Sequence, residues 1–169
     1  MKTTEEEKNR LEDIYQAFLH DEKILRMKEI SMHRGSNCYE HSFKVAKKAI
    51  KKSLNRKDVN LEVVLLGAIL HDYYLYDWRK DRSKLKKHGK NHPSIAIENA
   101  VKDFNISEDV KKVIKSHMWP LNIKDYPKSK EARIVSISDK AVTIGESLTS
   151  KKHKQKKREK YLSYISHLF

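Results

Sequence analysis

The 169-residue chain carries 37 Lys/Arg against 23 Asp/Glu, a formal charge of +14, with 38% hydrophobic residues and only 4 Gly and 3 Pro. That length suits one compact domain, and so few backbone breakers favour helices. The single cysteine, Cys38, excludes an internal disulfide and a cysteine-rich zinc site.

The positive excess is compatible with an anionic ligand or surface without selecting one. No apolar signal region opens the chain, and no apolar run approaches the ~20 residues that cross a bilayer. A soluble, cytoplasmic protein is expected.

In chain order, Leu11, Ile14, Tyr15, Phe18 and Leu19 have helical spacing, which predicts an amphipathic helix near residues 4–20. A loop around Gly35 precedes a second helix, capped by Ser36 or Asn37 and running to Leu54, with His41, Val45, Ala46, Ala49 and Ile50 inward. Asn60 caps a third helix expected from Leu61 to about Trp78. Its apolar residues nearly encircle the axis, so it is expected to be the most buried helix of the bundle.

A charged connector, "RKDRSKLKKHGKN", leads to a helix with Pro93 at its first position and His92 at its mouth. His88, in the Lys-rich connector, is read as a solvated loop residue. Ser107 caps the next helix, whose inward face carries Val110, Val113, Ile114 and His117, and Pro120 forbids its continuation. In "SKEARIVSISDKAVTIGESL" the residues Ala132, Val135, Asp139 and Val142 follow one inward period.

His41, His71, His117 and Asp139 therefore fall where periodicity expects core, and Asp72 adjoins His71. One unpaired buried polar group costs ~1–3 kcal/mol, so several of them call for a shared partner. Imidazole and carboxylate donors suit Fe, Mn, Ni, Co or Zn.

The ordered set His41 in "YEHSFKVA", His71-Asp72 in "AILHDYY" and Asp139 in "SISDKAV" resembles the signature of the HD-domain metal-dependent phosphohydrolases. His92 in "NHPSIA" and His117 in "KSHMWP" look like the histidine pair of the family's two-metal members. The resemblance covers roughly residues 30–150. It implies an all-α, single-domain helical bundle that cleaves a phosphate ester or anhydride, with a nucleotide-type substrate.

It further implies that His41, His71, Asp72 and Asp139 hold one of two divalent ions and that Asp72 bridges to a second ion on His92 and His117. The nucleophile would then be a metal-bridging hydroxide. The alternative is a non-catalytic, metal-containing module that binds a nucleotide or nucleic acid.

Around this set, Arg34 is a candidate phosphate anchor and Lys140 a candidate for neutralising substrate charge. Asp77 is a candidate general acid, or an acceptor that orients a histidine ligand. Tyr73, Tyr74, Tyr76 and Trp78 are read as core rather than as a stacking platform.

Residues 1–29 are expected to form a helical segment on the core, 30–150 the phosphohydrolase domain, and 151–169 a basic tail. That tail holds seven Lys/Arg against one Glu. It could meet nucleic acid or an anionic membrane surface. The favoured reading is a final helix, with Tyr161, Ile165, Leu168 and Phe169 docked on the domain or on a second subunit of a homodimer.

Overall fold

The computed structural model describes residues 3–32, 36–77, 88–148, 160 and 162–169. Its order is α1 (Glu5–His20), α2 (Glu22–Leu25), a 3-10 turn (Arg26–Glu29), α3 (Cys38–Ser53), α4 (Leu61–Leu70), α5 (His88–Phe104), α6 (Glu108–Ser116) and α7 (Lys130–Leu148). The fold is all-α: among the described residues the β contact is an isolated bridge between Ser31 and Asn37.

Local chemistry sets most helix ends. The side chain of Thr4 accepts from Glu7 N, that of Asn37 from Glu40 N, and that of Ser107 from Val110 N. Asn60 accepts from both Glu62 N and Val63 N. Each such cap satisfies an otherwise unpaired donor and contributes about 1 kcal/mol. Helix α5 ends on Asn105, whose φ of 47° is the left-handed conformation that Asn tolerates after a helix.

As expected, α4 is the buried centre, packing on α3, α6 and α7. Leu61, Val64, Leu65, Gly67, Ala68, Ile69 and Leu70 are all buried, on every side of the axis. Gly67 makes the α4–α6 approach possible: a Cβ there would lie 2.5 Å from Val113 Cγ1.

Two expectations need correction. Helix α4 stops at Leu70, not near Trp78, which itself lies outside the described residues. Beyond it Tyr73 N bonds Leu70 O, Tyr74 N bonds Asp72 O, and Leu75 takes a φ of 52°. Tertiary donors replace the helical ones, since the Cys38 thiol donates to Asp72 O and the Asn99 amide to Tyr73 O.

Helix α5 starts at His88, so Pro93 is inside it rather than at its first position. Pro93 is the sixth residue of α5 and has no N–H to give Gly89 O, so the second turn of the helix forgoes one backbone bond. His88 is accordingly not a solvated loop residue. It is half-buried, with its ring stacked on His92 at a centroid distance of 4.6 Å.

Candidate metal centre

Five segments deliver six polar side chains to one place. His41 comes from the first turn of α3, His71 and Asp72 from the end of α4, His92 from α5, His117 from the end of α6, and Asp139 from the middle of α7. None is more than 9% exposed.

Helix ends fix the tautomers. His71 caps α4 and its Nδ1 lies 2.8 Å from Ala68 O; His117 caps α6 and its Nδ1 lies 2.7 Å from Ile114 O. Those carbonyls are among the last of each helix, which lack intrahelical donors. His92 Nδ1 likewise sits 2.8 Å from His88 O. A carbonyl only accepts, so Nδ1 carries the proton in all three rings and each neutral ring presents Nε2 as a lone pair.

The three lone pairs converge. His92 Nε2 and His117 Nε2 are 2.9 Å apart, with Asp72 Oδ1 at 3.2 and 3.6 Å from them. His71 Nε2 is buried without a hydrogen-bond partner, and Asp72 Oδ2 lies 3.3 Å from it. Asp139 Oδ1 is 3.8 Å from the same atom and 3.1 Å from His41 Nε2. The ligand atoms of His41, His71 and Asp139 all lie within 4.8 Å of one another, as do those of Asp72, His92 and His117. Asp72 turns one oxygen toward each group.

Both carboxylates and His117 are in the form that a cation would need, whereas burial lowers the pKa of His71 and the Asp72 and Asp139 carboxylates outweigh it and raise it. Burial opposes charge on Asp72, but His71 and His92 outweigh it and hold its carboxyl well below the usual range. Asp139 is held low in the same way by His41 and His71 against burial. Burial and the neighbouring His92 and His71 push His117 down to about 3, keeping its lone pair available. Two imidazole lone pairs facing each other beside a carboxylate, with a third left unpartnered, fit divalent ions of the N/O-preferring kind.

His41 is held from behind. Its Nδ1 lies 3.0 Å from Glu146 Oε2, and Lys44 Nζ donates to Glu146 Oε1 at 2.8 Å. Burial lowers the His41 pKa, but hydrogen bonds to Asp139 and Glu146 override it and raise it to about 10. Glu146 and Lys44 escaped the reading of the sequence. The available signal is spacing: Glu146 is two turns beyond Asp139 on α7, and Lys44 one turn beyond His41 on α3.

The remaining candidates disperse. Lys140 lines the cleft above the cluster, but its Nζ donates to His117 O at 2.9 Å and Ser136 Oγ at 2.7 Å. Asp77 is half-buried and belongs to neither histidine–carboxylate group nor to the cleft lining. Arg34 lies outside the described residues. Tyr73 and Tyr74 are core, as expected, at 0% and 2% exposure.

Asp72, His92, His117 and Asp139 form the floor of a cleft of about 790 Å³. No described helix is long and apolar enough to cross a membrane. The family model described as HD domain matches residues 38–143, which include all six side chains. No curated protein and no solved structure matches the chain.

Proposed function

Since the chain belongs to the HD domain family, we propose that it is a metal-dependent phosphohydrolase that cleaves a phosphate ester or anhydride, with a nucleotide-type substrate. The observation that carries this reading is the convergence of three imidazole lone pairs on the two carboxylates, with each Nδ1 committed to a backbone carbonyl.

His41, His71 and Asp139 would hold one ion, His92 and His117 a second, and Asp72 would bridge them with its two oxygens. Ions bound there supply Lewis acidity, which makes water acidic enough to attack phosphorus near neutral pH and offsets charge on the phosphoryl oxygens. The protein's own contribution is positional. Capping bonds hold His71 and His117, α5 holds His92, and Glu146 holds His41, so the donors are arranged before any substrate arrives.

A cleft of about 790 Å³ falls in the range of small-molecule sites, a size that suits a nucleotide-type substrate. Among the described residues, the lysine at its wall is Lys140, tied down by His117 O and Ser136. It would set a fixed positive charge beside the phosphoryl group.

Elemental analysis of protein purified without chelator is expected to give close to two transition-metal ions per chain. Hydrolysis of a nucleotide panel with Mn, Fe, Co or Ni is expected to vanish in Asp72→Ala while circular dichroism is retained. A protein that takes up metal and binds nucleotides but turns over none would be the binding module instead.

A further inference from the structure

Resting on the phosphohydrolase reading, we propose that the cleft selects its substrate through the apolar surface of the organic group attached to phosphorus, and not through hydrogen bonds to that group. The preferred ligands are then phosphoryl compounds with an aryl or alkyl-bearing group, and nucleobases are held by their faces and poorly told apart.

The walls above the metal floor carry this. They are formed by Met32, Met118, Pro120, Leu121 and Ile144. Leu121 and Ile144 are 60% and 59% exposed, so the apolar wall continues from the floor out to solvent. Helix α5 leaves room for it at Gly89, where a Cβ would come within 3.0 Å of Leu121 Cδ2. Two methionines in the wall give it an unbranched, adaptable lining that moulds to different shapes.

The polar side chains described in the same wall are engaged elsewhere. Tyr74 OH donates to Met32 Sδ, and Thr143 Oγ1 to Asp139 Oδ1. Lys140 is bonded to His117 O and Ser136, and His88 Nδ1 is paired with Tyr76 OH at 2.9 Å. Among the described residues, the remaining polar side chains of the lining are those of the metal floor, which addresses phosphate. High discrimination between polar groups requires a site built to bond them, whereas an apolar pocket ranks ligands by buried area.

The test is calorimetric titration of Mn-loaded protein with 4-alkylphenylphosphonates from methyl to butyl, in which the phosphoryl group stays constant and only apolar surface grows. Affinity is expected to rise about fourfold per methylene until the cleft is filled. Ile144→Ser and Leu121→Ser are expected to flatten the series. Ile137→Ser, on an exposed part of α7 outside the cleft lining, leaves the slope as it is.

Nucleoside monophosphates with different bases are expected to bind with similar affinity. A flat alkyl series, no binding of any phosphonate, or a preference of about tenfold or more among bases overturns the proposal. Failure of the two readings is separable. A steep series in a protein that hydrolyses nothing removes the enzyme and keeps the apolar selection, whereas turnover with a flat series does the reverse.

Discussion

Glu146 is the residue whose role reaches furthest beyond its own contacts. It is 9% exposed, and its carboxyl is held below the usual range by His41 and Lys44 although burial pushes the other way. By accepting from His41 Nδ1 it fixes the ring so that Nε2 faces Asp139. Partners of this kind typically change metal affinity by about 10–100-fold. Glu146→Ala is therefore expected to weaken binding at the His41 side by that factor in equilibrium dialysis with Mn, while the His92–His117 side keeps its affinity. Glu146→Gln, which can still accept from Nδ1, should lose less. Equal weakening of both sites in each variant would mean that Glu146 acts through the general stability of the site and not through His41.

At the scale of elements, the site depends on how closely α4 and α6 approach, because each ends in one of the histidines. Gly67 faces Val113 across that contact, and an added Cβ would lie 2.5 Å from Cγ1 and 3.0 Å from Cβ of Val113. Helix propensity alone would favour Gly67→Ala by about 1 kcal/mol. Overpacking at a β-branched neighbour with little rotamer freedom is expected to win, for a net loss of about 1–3 kcal/mol in denaturant unfolding. Val113→Ala in the same chain should recover part of it, and a stabilised single variant would show that the helices can slide apart.

Elements also show which features were legible in the sequence. Asn37, Asn60 and Ser107 cap as their positions suggest, because a cap is a local interaction between a side chain and the next turn. The end of α4 was not legible. "DYYLYDW" keeps an apolar period that a helix would share, and the bonds that replace the helix come from Cys38 and Asn99, 34 and 26 residues from their partners. His88 was misread for a related reason: its burial comes from Tyr76 and His92, and a Lys-rich context gives no sign of either.

For the whole molecule, the question is what holds the last residues of the chain. The basic run 151–159 lies outside the described residues, yet the segment after it is seated on α1 and α3. Ile165 and Leu168 are 2% and 4% exposed, and Tyr15 OH donates to Ile165 O at 2.8 Å from a fully buried ring. Gln16 donates to Ser166 O, Leu168 N donates to Glu12, and Lys47 donates to Tyr164 O and His167 O. Burying an Ile or Leu side chain is worth about 1.5–3 kcal/mol, part of which ordering the segment consumes. A chain ending at residue 150 is therefore expected to lose about 2–4 kcal/mol in urea unfolding, and Tyr15→Phe to lose a fraction of that in the full chain. If the shortened chain unfolds at the same urea concentration but no longer binds RNA or anionic vesicles, the end segment is a binding arm. The distinction bears on the metal centre, because Lys47 lies one turn beyond Lys44 on α3, the helix that carries His41. Loosening the tail would then reach His41 through the packing of α3, and metal affinity at that side should fall with the lost stability.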